Sequence, residues 1–507
     1  MKIGILDLIT SEINRPLSAW PHHFLVLKQS AGIMPQAVSV WCKQMGHQVI
    51  YRTYFGQQRV ETLLPDDLDV VFISCFTRDS ALAYALAKLQ RRLNPATLLV
   101  LGGPHAAQYS LDGLRFFDVV VQQCNPDLIK EILSSRPRGE VVTSKDPPKD
   151  IPCVEERLEE IRTASFWNRK ATQFSFIPIL SSMGCPFSCD FCVDCNTAYQ
   201  EFPLDRVRQD LAFVRRHFPR VRINFYDPNF GVRFDRVMQV IESVKEELPQ
   251  GRQKWFLTEG SLTFLTEPRL KRLSRAGCLC VMPGIESWNG YSEKAGLGGH
   301  ATGSEKVAAV LDHFELIRRY IPMIQANLLF GLDSDHGDIP VVLNKRFISA
   351  TPYVFHTLNI PAPFGGTPMF NTYREQGRLL ERLPFTFYGK PFLSTTIKHY
   401  SPVAFYQKFI EMLGLINSWA LQKRAFRYAA SMTSRGYLPA RSLMLSRMIR
   451  EMGKILEGLV QDPQIRLFHE GTRPDLPEFY AHLYRKRLGR FASLMTPEDS
   501  IPILDQI

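Results

Sequence analysis

The stretch Gly184-Cys185-Pro186-Phe187-Ser188-Cys189-Asp190-Phe191-Cys192 decides how this chain is read. It follows closely on an apolar run, Phe176-Ile177-Pro178-Ile179-Leu180, which reads as a strand. Three cysteines spaced C-x3-C-x2-C among Gly184, Pro186 and Asp190 form a turn, not a core element. Thiolates are the usual ligands of iron–sulfur clusters, and a fourth normally completes the cube. Three leave one iron open to bind a small molecule and pass it an electron. Structural zinc sites pair two Cys or Cys/His hooks, and no second hook follows here. The spacing therefore points to a [4Fe–4S] cluster on Cys185, Cys189 and Cys192. Cys42 and Cys153 lack such company and read as core thiols.

Downstream, strands alternate with helical patterns, and polar groups gather after each strand. Arg222–Tyr226 ends in Asp227-Pro228-Asn229-Phe230, and Trp255–Thr258 leads into Glu259. Leu279–Met282 leads into Pro283-Gly284-Ile285-Glu286-Ser287. Ile324–Phe330 leads into Gly331-Leu332-Asp333-Ser334-Asp335, and Phe355–Ile360 into Pro361-Ala362-Pro363-Phe364-Gly365-Gly366. With the strand before the cysteines these make six, which predicts a partial (β/α)6 barrel with its site at the carboxyl ends. Taken singly, Asp227 or Glu286 reads as a helix cap and Gly331 as a turn glycine. Convergence on the cysteine-bearing rim gives them meaning, since carboxylates and glycine-flanked backbone suit the polar groups of a nucleoside–amino acid ligand.

Upstream, short apolar runs alternate with helices. Strands are expected at Lys2–Leu8, Gln48–Tyr51, Asp69–Ser74, Thr97–Leu101 and Asp118–Val121, with helices at Gln36–Met45, Ala81–Leu93 and Asp127–Leu133. This is a doubly wound, Rossmann-like parallel sheet, whose ligands bind beyond the strand carboxyl ends. Gly102-Gly103-Pro104-His105 closes one such strand and lets a backbone come close to a ligand. Pro147-Pro148 and Ile151-Pro152 mark a linker, and the amphipathic Val154–Ile161 segment bridges onward. The tail holds helical patterns at Val403–Ala420, Arg441–Leu459 and Leu476–Leu488, with no catalytic cluster. The expected organisation is a first sheet over 1–140, a linker over 141–173, the partial barrel over 174–398 and a helical domain over 399–507.

With 507 residues, 45% hydrophobic and 22% charged, the chain has the balance of a soluble globular protein. No apolar stretch of about 18 residues predicts a transmembrane segment, and MKIGILDLIT reads as a strand and not as a secretory signal. Ten cysteines in this length are too sparse for a disulfide scaffold, which fits a reducing cytoplasm. The net charge of +11 is spread out without the aromatic-laced basic stripe of a nucleic-acid binder, so no nucleic-acid partner is expected. Attraction to an anionic small molecule or electron donor is the simpler reading.

Together these motifs resemble the cobalamin-binding radical SAM enzymes, over roughly the first three-quarters of the chain. GCPFSCDFC is similar to that family's cluster loop, Asp227-Pro228-Asn229-Phe230 to its D-x-N-F element, and Gly284-Ile285-Glu286-Ser287 to its G-I-E-S strand end. Phe330-Gly331-Leu332-Asp333-Ser334-Asp335 resembles F-G-L-P-G-E, and Gly365-Gly366-Thr367-Pro368 the end of P-x-P-G-T-P. The resemblance implies that S-adenosylmethionine chelates the open iron and is cleaved to a 5′-deoxyadenosyl radical, with cobalamin in the first domain supplying a methyl group. It implies S-adenosylmethionine contacts at Asp227, Asn229, Glu286, Ser287 and Gly331. It implies cobalamin contacts at Gly102, Gly103 and His105, and a reductant such as flavodoxin or ferredoxin.

Two motifs depart from the family. Tyr51–Gly56 lacks the His of D-x-H-x-x-G, so no protein-derived cobalt ligand is expected, and Gln122-Gln123-Cys124-Asn125 stands where relatives have G-E-G-E. Cys195, which forms a C-x2-C with Cys192, would close the open iron and is not counted as a ligand; Cys278 and Cys280 read as core. The expected activity is a cobalamin-dependent C-methyltransferase on a small-molecule or lipid-like metabolite. A radical rearrangement or cyclisation without methyl transfer is the alternative, and a cobalamin or redox sensor ranks last.

Overall fold

The computed structural model describes residues 1–13, 31–56, 58–289, 302–429 and 432–505. The first sheet is built from β1 (Lys2–Leu8), β2 (Gln48–Tyr54), β3 (Val70–Cys75), β4 (Leu98–Gly102), β5 (Val119–Val121) and β6 (Glu140–Val142). They pair in the order β2-β1-β3-β4-β5-β6, every pair parallel. Val/Ile/Leu runs make these strands because helices cover both faces, as in Leu98–Leu101, which is wholly buried. The crossovers are α1 (Ile33–Gln44), α2 (Ser80–Leu93), the short α3 (Pro104–Gln108) and α4 (Ser110–Leu114), and α5 (Pro126–Ser135). Within 141–173, α6 (Leu158–Ala164) packs on the first sheet's β2 side, and Arg157 donates to Gln36 at 2.8 Å.

The second sheet contains β7 (Phe176–Ile179), β10 (Arg222–Phe225), β11 (Phe256–Ser261), β12 (Cys278–Glu286), β13 (Met323–Leu329) and β14 (Val354–Asn359). Their order is β14-β13-β12-β11-β10-β7, again all parallel. It does not close: β14 and β7 are free edges, so the six strands form a crescent with α7 (Leu204–His217), α8 (Phe234–Glu247), α9 (Glu267–Ala276), α10 (Gly303–Tyr320) and α11 (Ile339–Ala350) between them. Alternation sets the faces. In β14, Val354, His356 and Leu358 are buried, with His356 edge-on to Phe347 of α11 at 5.6 Å, which leaves Phe355, Thr357 and Asn359 on the concave side. The free edge of β14 is capped by cations: Lys390 donates to the Leu358 carbonyl at 2.8 Å and Arg441 to that of His356 at 2.5 Å.

After β14 come α12 (Pro368–Glu375) and the tail helices α13 (Pro402–Ile416), α14 (Trp419–Tyr428), α15 (Met432–Gln461), α16 (Pro463–His469) and α17 (Glu478–Leu488). The expected Val403–Ala420 helix is in fact broken, because Ser418 accepts a hydrogen bond from the Leu421 amide and starts α14 afresh. The last residues return to the first sheet. Lys88 pairs with Asp499, Arg115 donates to the Glu498 and Ile501 carbonyls at 2.8 and 2.9 Å, and the Ile503 amide donates to Asp112 at 2.9 Å. One apolar cluster runs through both sheets and the tail.

Candidate active site

The cysteine loop is an excursion from a clip too short to read in the sequence. β8 (Ser182–Met183) pairs antiparallel with β9 (Gln200–Glu201), Ser182 opposite Glu201, and everything from Gly184 to Tyr199 hangs from that clip. Gly184 has φ +68°, and a Cβ there would lie 2.4 Å from the Thr197 carbonyl oxygen and 2.6 Å from that of Ala198. Only glycine lets the two limbs meet. Cys185 is buried, Cys189 and Cys192 are half-buried, and none is in a disulfide. The Cys192 amide donates to the Cys189 carbonyl at 3.1 Å and the Cys195 amide to that of Cys192 at 3.2 Å, a chain of tight turns. Burial, reinforced by the charge of Cys189, pushes the Cys195 thiol up.

Among the described residues no group of three or more His, Cys, Asp or Glu is gathered into a metal-holding geometry. The donor set nonetheless fits an iron–sulfur cluster. Three cysteines share one glycine-closed loop, and the half-exposure of Cys189 and Cys192 leaves room for an inorganic core.

The residues at the loop's base fix it in place. Asp227, just beyond β10, is buried; its carboxylate accepts from the Ser181 amide at 3.1 Å, from the Ser182 hydroxyl at 2.7 Å and from the Ser181 hydroxyl. Burial pushes its carboxyl up, and those serine donors pull back. Arg206 donates to the Leu180 carbonyl at 2.5 Å, and Arg233 to the carbonyls of Ser181 at 2.8 Å and Phe202 at 2.5 Å. Asn229 accepts from the Gly231 amide at 3.1 Å and the Ser261 amide at 3.3 Å. The Asp227 carboxylate thus holds the strand end that leads into the cysteine loop, whereas Asn229 holds its own turn and the end of β11.

Further round the rim, Glu286 ends β12 with φ +61°, a conformation that side-chain-bearing residues seldom take. Its carboxylate folds back over Gly284, where a Cβ would lie 2.1 Å from Oε1. Behind it Lys306 is buried and donates to the Ser287 carbonyl at 2.6 Å; burial pushes its amine down to about 8, against the pull of Glu286. Ser287 accepts from the Asn289 amide at 3.2 Å. Gly331 has φ +102°, its amide donates to Asp335 at 3.0 Å, and a Cβ would lie 2.7 Å from Phe405. Burial pushes the Asp335 carboxyl up to about 6. Lys306 carried no motif to mark it as a support, and Asp335 stood within a motif without being singled out from it.

The two sheets meet at this rim. The Gly365 amide donates to the Tyr109 hydroxyl at 2.9 Å, and the Met369 amide to the Asp190 carbonyl of the cysteine loop at 2.9 Å. Phe191 of the loop packs on a cluster holding Tyr109, Leu329, Leu332 and Phe385. On the first sheet, a Cβ on Gly102 would meet open space, whereas Gly103, φ +87°, sits where a Cβ would lie 2.9 Å from the Cys75 backbone. His105 is wholly buried, lies 2.5 Å from the Tyr84 hydroxyl and packs edge-on to Phe385 at 5.0 Å. Burial pushes its imidazole down to about 3.

No protein-family profile matches the chain. It is 25% identical over 372 residues, 70% of its length and 78% of the relative's, to a bacteriochlorophyllide d C-8(2)-methyltransferase of Chlorobaculum tepidum. It is 24% identical to a hopanoid C-2 methylase of Rhodopseudomonas palustris, over 48% of this chain and 45% of that one. Among solved structures it shares its fold with TsrM of Kitasatospora setae, a radical S-adenosylmethionine methyltransferase seen with cobalamin and a [4Fe–4S] cluster. The TM-score is 0.57 at 13% identity, covering 89% of this chain and 99% of that one.

Proposed function

We propose that this chain, which has the fold of a cobalamin-binding radical SAM methyltransferase and methyltransferases among its relatives, methylates carbon on a small-molecule or lipid-like metabolite. The observation that carries this reading is the meeting of the cysteine loop with both sheets: Asp190 bonded to Met369, and Phe191 packed beside Tyr109. One site is thereby shared between the two carboxyl edges, where a methyl donor on one and a radical source on the other would face a common substrate. When bound, the cluster, S-adenosylmethionine and cobalamin supply radical activation of an inert C–H bond and a carried methyl group.

The chain's own residues do the rest. Cys185, Cys189 and Cys192 would hold the cluster, with Asp227, Arg206 and Arg233 keeping the loop's base fixed. Glu286, its backbone strained, aims a carboxylate at the rim, with Gly284 making space beneath it. Gly102 and Gly103 offer the bare turn for the corrin. The Tyr109, Phe191 and Phe385 wall excludes water from the shared mouth. The two named relatives act on a bulky tetrapyrrole and a hopanoid, which supports a large, mostly apolar substrate. A flavodoxin- or ferredoxin-type reductant in the cytoplasm completes the reading.

The test is anaerobic reconstitution followed by ultraviolet–visible spectra, with and without hydroxocobalamin, on the wild type and on C185S/C189S/C192S. Loss of the iron–sulfur absorption in the variant is expected; an unchanged spectrum would sink the assignment. Label from the methyl of S-adenosylmethionine, appearing in product beside 5′-deoxyadenosine, identifies methyl transfer. Product without label would point to rearrangement instead.

A further inference from the structure

The helices beside the free edge of β14 include a stretch of sequence with one charge sign. Residues 412–450 contain seven Lys and Arg and no Asp or Glu. Three of these cations have structural partners: Arg441 on the His356 carbonyl, Arg447 on Glu12 and Glu451, and Arg424 on the Ser349 carbonyl at 2.9 Å. Lys423 and Arg427 make no ion pair among the described residues and are exposed. They belong to α14 with Trp419 and Phe426, at i, i+4, i+7 and i+8, and so share one stripe of the helix. Trp419 is 81% exposed and Phe426 50%, whereas Leu421 alone is buried from this helix. The Arg435 guanidinium lies 5.3 Å over the Phe426 ring, adding another positive charge to the patch.

A solvated surface helix accounts for the cations but not for an extended tryptophan standing among them. Basic residues interleaved with aromatics also suit single-stranded nucleic acid, but that ligand needs a groove whose walls stack the bases. Here the rings stand out from the exposed face of a helix. A bilayer interface takes that shape: tryptophan and phenylalanine enter the headgroup layer while flanking cations meet lipid phosphates. No helix among the described residues is long and apolar enough to cross a membrane, so contact would be peripheral.

We propose that α14 docks this protein on an anionic phospholipid bilayer, with Trp419 and Phe426 in the interface and Lys423 and Arg427 on the phosphates. The helix adjoins the amino end of β14, the edge strand of the second sheet. Arg424 ties α14 to the end of α11, and Tyr428 stands edge-on to Tyr353, just before β14, at 5.8 Å. The proposal stands on surface chemistry alone, so vesicle binding and methyl transfer succeed or fail separately.

The test is co-sedimentation of the anaerobically reconstituted holoenzyme with phosphatidylcholine vesicles, with and without phosphatidylglycerol, at low and high salt. Binding is expected only with phosphatidylglycerol, and salt should release it. K423Q/R427Q should weaken partitioning about thirty-fold, because each cation near an anionic surface contributes about a fivefold factor. W419S/F426S should also weaken it, and retain less salt-resistant binding than the charge variant. Circular dichroism and Tm of both variants should match wild type, since these side chains make no hydrogen bond or ion pair among the described residues. Binding that ignores phosphatidylglycerol, variants that sediment like wild type, or retention on single-stranded RNA without vesicle binding would each overturn the proposal.

Discussion

Replacing Gly184 with alanine puts the closure of the cysteine loop to a direct test. At φ +68° an L side chain costs about 1–2 kcal/mol from its own backbone. The added Cβ would also sit 2.4 and 2.6 Å from two carbonyl oxygens, and neither is a flexible side-chain tip that can step aside. Relieving both contacts means opening the Ser182–Glu201 clip, which brings the total to about 3 kcal/mol once a backbone hydrogen bond is lost. That corresponds to a population of the closed loop lowered by about two orders of magnitude. The cost is local, because the clip is not part of either six-stranded sheet. G184A should therefore melt close to wild type in the cluster-free state, yet retain far less iron and sulfide after anaerobic reconstitution and desalting. Full iron content with an unchanged Tm would refute the reasoning, as would general unfolding, since that would make the glycine a core requirement.

Asp227→Asn keeps the size but turns part of an acceptor into a donor facing the Ser181 amide, so it should cost about 1.5–3 kcal/mol; cluster retention should fall while cobalamin binding, read by its own absorption, stays. Asp7 is buried in β1 and burial pushes its carboxyl up to about 7. The folded state therefore binds more protons than the unfolded one from about pH 4 to 7, and stability falls as pH rises through that window. Asp7→Asn should flatten this slope and gain up to about 4 kcal/mol at neutral pH in urea melts; an unchanged slope would show that Asp7 ionises freely. Tyr109→Phe removes the hydroxyl that receives the Gly365 amide, and should cost about 1 kcal/mol. Its signature should be faster amide exchange at residues 364–367 with the core of the first sheet unmoved.

The strands were legible because apolar runs bounded by turn residues mark parallel strands buried on both faces, and all six of the second sheet lie where those runs lie. Their ends were less so. β12 continues through Pro283 and Gly284 to Glu286, although proline and glycine read as a stop, because a register shift against β13 accommodates them. β6 and the β8–β9 clip have too few residues to show any period. At the site, the cysteines announced themselves by spacing. Asp227 was recognised as a residue that mattered, but its direction was hidden: its partners Ser181 and Ser182 lie on another strand's end, and no local pattern relates the two. The enclosure of His105 was hidden for a similar reason, since a turn histidine gives no sign that Tyr84, from α2, and Phe385, from far along the chain, will pack around it.

The return of residues 498–503 to the first sheet ties two distant parts of the chain into one layer. Asp112 receives the Ile503 amide, the Tyr84 hydroxyl and the Arg115 guanidinium, so a buried carboxylate beside that sheet is satisfied in part by a residue 391 positions away. A chain truncated before residue 498 would keep its cysteine loop intact beside a first sheet whose helical layer is left unsealed.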